Sequence, residues 1–202
     1  MYALKDNVVA LATAPGKSAL NIIRVSGNSA LNELFQQLTQ QNKTPKPNTT
    51  YPYFIYNNNN QIVDQSVITY YKSPKSYTGE FMLEISVHGG YVITNQIIDL
   101  ILKKQCRMAA PGEFTYRAFI NNKINLIQAE AINGLINANS ELVSSHQINN
   151  LTGGLTNAIS GAHKELRNML ILAEHELDFS ENEINLTDNL AYIKRLVKIN
   201  KS

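Results

Sequence analysis

The sequence predicts an α+β domain followed by a mainly α-helical segment. Two short apolar runs, residues 8–13 and 20–26, are separated by Ala14-Pro15-Gly16 and have the character of strands joined by a turn. Residues 81–88 alternate apolar and polar side chains, the period of a half-buried strand. After Ala110-Pro111-Gly112 the apolar residues instead recur at steps of three and four, which is typical of helices.

The remaining elements are predicted in order from the same patterns. An amphipathic helix should follow Ser29, a loop should cover residues 42–52, and residues 53–56 and 62–70 should form a hairpin around four asparagines at 57–60. A second helix is predicted over residues 93–102. Since hairpins lie among the strands, the class is α+β and not a purely parallel sheet.

The C-terminal part is predicted to be helical throughout. No proline occurs from residue 115 to 177, the expected interruption is at Gly153-Gly154, and one more amphipathic helix is expected after residue 188. We place the division between the two parts between about residues 110 and 122. This predicts an N-terminal domain over residues 1–115 and a helical domain over residues 116–202.

Composition excludes several classes of protein. The formal net charge is only +2 over 202 residues and the lysines are scattered, which argues against a stand-alone nucleic-acid binder. A single cysteine, Cys106, cannot form an internal disulfide and fits a reducing compartment. No apolar run reaches transmembrane length, so we expect a cytoplasmic protein with no membrane partner.

The sequence contains no convincing catalytic or metal site. Gly16-Lys17-Ser18 resembles the end of a P-loop, but position 11 is Leu where a P-loop needs glycine, and a strand is predicted to follow. A plain turn is the better interpretation, and we expect no nucleotide hydrolysis by this chain. The four histidines show no ligand spacing, and no Ser/His/Asp set can be argued from the residues alone.

Three charged residues are candidates for ligand binding. Arg24 and Glu84 each lie within an apolar predicted strand, where a charge must be paired or must face a ligand, and Lys123 begins the helical part. A fixed carboxylate such as that of Glu84 can accept two parallel hydrogen bonds from an amidine-like edge. For each residue taken alone, a salt bridge or a solvated position is the simpler interpretation.

Three blocks of sequence, at residues 7–27, 76–90 and 111–131, are more specific than these single residues. Together they resemble the N-terminal part of the tRNA-modification GTPase family MnmE (TrmE), and the stretch around Leu177 and Asp178 matches a later helical segment of that family. The resemblance implies a folate-binding α+β domain that forms a homodimer. It also implies a helical domain into which a GTPase domain is inserted.

The resemblance further implies a cofactor, partners and site residues. The family binds a 5-formyltetrahydrofolate-type cofactor and, with the flavin-dependent partner MnmG (GidA), modifies carbon 5 of the tRNA wobble uridine. GTP hydrolysis in the family needs K⁺ and Mg²⁺. The folate-contacting residues of the family fall on Arg24, Glu84 and Lys123, where Glu84 would hold the pterin edge and the two cations would face the polar and carboxylate groups.

The chain departs from the family pattern at several positions. Ala110 replaces a common arginine, Asn125 replaces a common aspartate, and Gly16-Lys17-Ser18 replaces Gly-Arg-Gly. The chain ends at Ser202, before the family's GTPase domain, so a fragment or truncated form is expected. Two alternatives stay open: an oligomerisation scaffold in which folate binding has decayed, and a small RNA-binding module, which the low net charge disfavours.

Overall fold

A computed structural model describes residues 6–27, 31–43, 45–178, 193, 194, 196 and 197. The chain divides into two compact units, Met1–Asn125 and Leu126–Ser202. The division lies beyond the predicted one after residue 115, because helix α3 (Glu113–Ile120) is bound into the first unit by buried ion pairs. Within the described residues, no helix is both long enough and apolar enough to cross a membrane.

The first unit is built on a six-stranded mixed sheet with the order β3-β4-β5-β2-β1-β6. The strands are β1 (Asn7–Leu11), β2 (Leu20–Gly27), β3 (Thr50–Tyr56), β4 (Ile62–Tyr71), β5 (Phe81–His88) and β6 (Cys106–Met108). Among the strand pairs formed by the described residues, β1–β6 is parallel and the others are antiparallel. The predicted strands and the hairpin are confirmed, whereas the three-residue β6 was not predicted.

Two helices supply the other half of the hydrophobic core. These are α1 (Asn32–Thr39) and α2 (Tyr91–Leu102), which confirm the two predicted helices. Phe35 of α1 meets Tyr53 of β3 edge to face, with ring centroids 4.9 Å apart. The alternation along the strands sends one set of side chains into this core, including the fully buried Val25, Leu83 and Ile85. The intervening residues, which include Arg24 and Glu84, therefore lie on the opposite face of the sheet.

The second unit contains helices α4 (Leu126–Ile136), α5 (Glu141–Leu151) and α6 (Gly154–Asp178). The interruption predicted at Gly153-Gly154 is confirmed, with Gly153 at a φ of 97°. The predicted mainly helical character is confirmed, and further breaks occur at residues 121–125 and 137–140. At the second break the Ser140 hydroxyl caps α5 by accepting a bond from the Val143 amide. The helix predicted after residue 188 lies largely outside the described residues.

Candidate functional site

The centre of the candidate site is an ion pair between the two middle strands of the sheet. Arg24 of β2 and Glu84 of β5 are direct partners in the antiparallel register. The Arg24 Nε and Nη2 atoms both donate to Oε1 of Glu84, at 2.9 and 2.6 Å. Because residues two apart along a strand share a face, each charge lies on the face opposite the core. Each charge is therefore paired, which is one of the two outcomes that the sequence left open, and the two residues satisfy each other.

The second oxygen of Glu84 also has a partner. The Tyr71 hydroxyl, from β4, donates to Oε2 at 3.1 Å. Removal from water and the neighbouring carboxylate both raise the pKa of Tyr71, so its proton stays in place at neutral pH. The side chains of Arg24 and Glu84 are 27% and 24% exposed, so the ion pair remains within reach of solvent and of a ligand.

Two aromatic rings flank the guanidinium of Arg24. Its Cζ atom lies 5.4 Å from the ring centroid of Tyr77 and 5.8 Å from that of Phe114, distances at which a cation is attracted to an aromatic face. Tyr77 belongs to the loop between β4 and β5, and Phe114 to the first turn of α3. A hydrogen bond of 3.0 Å between the Tyr77 and Thr115 hydroxyls joins these two segments. The guanidinium is thus held between a loop and a helix start.

Lys123 lies beside the same loop. Its Nζ atom donates to the Pro74 carbonyl at 3.1 Å, and its stem passes over Gly79, where a Cβ would come within 3.1 Å of Lys123 Cγ. Gly79 has a φ of 79°, which favours glycine. In the described part of the chain, Lys123 thus contacts the loop that carries Tyr77 and forms no ion pair with Glu84. The structure brings Arg24 and Glu84 together and leaves Lys123 nearby.

A cavity of about 340 Å³ opens next to Arg24. That volume falls at the lower end of the range for small-molecule sites. Arg24 lines it, but Glu84, Tyr71 and Lys123 do not. Its other walls are the end of β1 with the following residue, and the segment from β6 into α3 (Ala10, Leu11, Ala12, Ala109, Ala110, Pro111, Gly112, Glu113, Phe114, Thr115). The lining combines small apolar side chains, an aromatic ring, the cation of Arg24 and the carboxylate of Glu113, whose charge is balanced by Arg107 and Arg117.

A second, buried ion cluster lies behind this cavity. Arg117 donates from Nη2 to Glu113 Oε1 at 2.9 Å and from Nη1 to Glu80 Oε2 at 3.0 Å. Arg107 also pairs with Glu113, at 2.8 Å, and the Ser26 hydroxyl donates to Glu80. Arg117 and Glu113 are completely buried. The sequence blocks that resemble the family include Ser26, Glu80, Glu113 and Arg117 but not Arg107, and the sequence does not identify these residues as a network.

The cluster shifts the acidity of its members. Hydrogen bonds from Arg107 are the main cause that lowers the pKa of Glu113 to about 2, with the Ala110 amide and Arg117 adding to the effect against the cost of burial. Glu113 also raises the pKa of Arg107. Both groups are therefore charged at neutral pH. Because Phe114 directly follows Glu113, the cluster fixes the start of α3 beside Arg24.

The remaining motifs of the sequence can also be located in the structure. Gly16-Lys17-Ser18 lies in the turn between β1 and β2, and a strand begins at Leu20, which confirms the predicted arrangement. His88 Nδ1 lies 2.6 Å from Asp64 Oδ1, and the Ser66 hydroxyl donates to Oδ2 of the same aspartate. The described residues contain no group of three or more side chains placed to hold a metal ion.

Comparison with known families finds two matches along the chain. A family described as the GTP-binding protein TrmE N-terminus matches residues 7–123, and one described as the MnmE helical domain matches residues 126–202. The chain belongs to the MnmE (TrmE) family. Arg24, Glu84 and Lys123 all lie within the first match and within the first unit.

Curated MnmE relatives agree with this membership. The tRNA modification GTPase MnmE of Flavobacterium psychrophilum is 39% identical over 197 residues, which is 96% of this chain and 43% of the relative. The protein of the same name from Fervidobacterium nodosum is 43% identical over 182 residues, 88% of this chain and 39% of the relative. This chain therefore spans about two fifths of the length of the curated relatives that it matches.

Proposed function

We propose that this chain is the tetrahydrofolate-binding and dimerising part of a tRNA-modification GTPase. In this proposal the complete protein works in the cytoplasm with the flavin-dependent partner MnmG (GidA) on carbon 5 of the tRNA wobble uridine. GTP, K⁺ and Mg²⁺ are bound by a GTPase domain outside the matched segments. The chain alone binds the folate and forms a homodimer, but hydrolyses no GTP.

The observation that carries the proposal is the Arg24–Glu84 pair beside a cavity. The partly exposed carboxylate of Glu84 matches the N–H and amino group at one edge of a reduced pterin, which can supply two parallel hydrogen bonds. The cavity next to Arg24 has room for a flat bicyclic ring. The residues of this site therefore fit a tetrahydrofolate, provided that the Arg24 guanidinium can exchange partners.

Each proposed site residue has a distinct role in this fit. Glu84 holds the amidine-like edge, while Arg24 and Lys123 provide positive charge for the carboxylate tail and the polar groups of the cofactor. Phe114, on the cavity wall, offers an aromatic face to the ring. The cofactor supplies a one-carbon unit when bound. The residues of this chain bind and orient it.

Isothermal titration calorimetry with 5-formyltetrahydrofolate tests the proposal. We expect the wild-type chain to bind, and Glu84→Gln to weaken binding at least roughly tenfold, because one acceptor and the negative charge are lost. The Glu33→Gln variant, which removes a charge from the exposed surface of α1, is the matched control and should bind as the wild type does. Unchanged affinity in Glu84→Gln would contradict the assignment.

The alternative is an oligomerisation scaffold whose folate binding has decayed. Two features favour it: Ala110 and Asn125 replace charged residues of the family, and Arg24 already neutralises Glu84 within the chain. Sedimentation combined with the titration separates the two functions. A dimer without any folate binding would support the scaffold, whereas a dimer that binds folate would support our proposal. A monomer would contradict the dimerisation common to both.

A further inference from the structure

We propose that Arg107 is a positioning residue for the cavity beside Arg24, although it does not line that cavity itself. The inference rests on the proposed function and deepens it, because it names a residue that sets cofactor affinity from outside the cavity. Arg107 acts on the cavity wall through Glu113, which does line the cavity.

The part of the wall concerned is the segment that connects β6 to α3. The Ala109 amide donates to the Val9 carbonyl at 2.9 Å, which ties the start of this segment to the sheet. The next amide, that of Ala110, donates to Oε2 of Glu113 at 2.9 Å, and the Glu113 amide donates back to the Ala110 carbonyl at 3.0 Å. The segment is therefore fixed by the sheet at one point and by the Glu113 carboxylate at the next.

Arg107 fixes the orientation of that carboxylate. Its Nη1 atom donates to Oε2 of Glu113 at 2.9 Å and its Nη2 atom to Oε1 at 2.8 Å. Two parallel bonds between a guanidinium and a carboxylate set the plane of the carboxylate as well as its distance. The Nη1 bond reaches the same oxygen that accepts from the Ala110 amide. Arg107 therefore acts directly on the atom that holds the cavity wall.

Unlike Arg117, Arg107 lies at the partly exposed edge of the ion cluster. Its side chain is 36% exposed, and its Nε atom donates to Asp6, which is also partly exposed. Arg117 is fully buried and pairs with Glu113 from the other side. Removal of Arg107 therefore leaves the buried carboxylate of Glu113 with a counter-charge. We expect such a change to loosen the carboxylate without unfolding the domain.

The consequence for a ligand follows from the position of Phe114. This ring lies on the cavity wall, directly after Glu113 in the chain, with its centroid 5.8 Å from Cζ of Arg24. A binding site keeps its affinity only while its walls stay within about 0.5 Å of the geometry that fits the ligand. A loosened Glu113 allows Ala110 and Phe114 to shift relative to Arg24, so cofactor affinity should fall.

Calorimetry with 5-formyltetrahydrofolate tests the effect on affinity. Arg107→Met removes the charge and the donors, and it should weaken binding at least roughly fivefold relative to the wild-type chain. Arg167→Met, at an exposed arginine of α6, is the matched control and should bind as the wild type does. Unchanged affinity in Arg107→Met overturns this inference alone. If none of the three proteins binds the folate, the proposed function and this inference are both overturned.

Amide hydrogen exchange followed by NMR separates positioning from a general loss of stability. In Arg107→Met without ligand, the Ala110 amide should exchange at least roughly threefold faster than in the wild type, because its acceptor is less firmly held. The Ala109 amide, whose acceptor belongs to the sheet, should exchange at the wild-type rate. Equal acceleration of both amides would show a general loss of stability and overturn the positioning role. An unchanged Ala110 amide would overturn the action through Glu113.

Discussion

The first unit contains two arginine–glutamate clusters that differ in how completely they are enclosed. Arg117 uses all three of its guanidinium nitrogens, on Glu113, on Glu80 and on the Asp6 carbonyl, and its side chain is fully buried. Arg24 places two nitrogens on one oxygen of Glu84, and the pair remains partly exposed beside a cavity. The first arrangement is closed to solvent, whereas the second is partly open to it.

The difference shows how the same chemistry serves structure in one place and binding in another. A fully satisfied, buried network is costly to break and holds its surroundings in one geometry. A pair at the surface of a cavity contributes less to stability and can trade one partner for another. Changes to the buried cluster should therefore act on stability, and changes to the exposed pair should act on ligand affinity.

The largest effect should come from Arg117→Met. The variant leaves Glu80 and Glu113 buried with part of their counter-charge removed, and breaking such a pair costs about 3–5 kcal/mol of unfolding free energy. Urea denaturation followed by circular dichroism measures the loss. Lys103→Gln is the control at an exposed position and should change stability by less than about 0.5 kcal/mol. A loss of unfolding free energy in Arg117→Met as small as that in the control would contradict the proposed difference between the buried cluster and the partly exposed pair.

A second expected effect is the acid sensitivity of the buried cluster. The pKa of Glu113 is lowered in the folded chain from 4.5 to about 2, so its contribution to stability is fully present above about pH 4.5. That contribution is lost as the pH falls from about 4.5 toward 2. Urea titrations over this range should show a steeper loss of stability for the wild type than for Glu113→Gln. Parallel curves for the two proteins would show that Glu113 has no lowered pKa.

The smallest effect should come from Tyr71→Phe. The variant removes one hydrogen bond to Glu84 without opening a cavity, so unfolding free energy should fall by only about 0.5–1.5 kcal/mol. The less firmly oriented carboxylate should weaken 5-formyltetrahydrofolate binding several-fold in calorimetry. Tyr51→Phe, at an exposed tyrosine of β3, is the matched control. If Tyr71→Phe lowers stability strongly but leaves affinity unchanged, Tyr71 belongs with the structural cluster.

The two charges of the partly exposed pair could be singled out from the sequence, and the buried cluster could not. Arg24 and Glu84 each interrupt an apolar strand, which is a local signal that needs no knowledge of the fold. Their direct pairing, however, depends on β2 lying next to β5, a contact between residues distant in sequence. Glu113 and Arg117 are four residues apart on a helix, which normally indicates an exposed salt bridge, so only tertiary packing reveals their burial.

Short elements are also hard to predict from the local sequence. Strand β6 has three residues and exists through its parallel pairing with β1, for which the local sequence gives no sign. The break before α5 did have a local signal, because Ser140 followed by Glu141 is typical of a helix start. The break after α3 also had a local signal in the sequence, namely an asparagine. Asn122 adopts a φ of 56° there, and asparagine tolerates that conformation well. The apolar residues recur at steps of three and four across both breaks, and this pattern indicates helix more strongly than the two local signals indicate its interruption.

The position of β2 and β5 at the middle of the sheet has a consequence for motion. Each is hydrogen-bonded to a strand on both sides, so the backbone amides of Arg24 and Glu84 can exchange with solvent only after the sheet opens. Tyr77 and Lys123, by contrast, lie outside the strands and helices of the first unit. The site thus joins a stationary half, which fixes the charges, to a loop-borne half in which adjustment to an incoming molecule can take place.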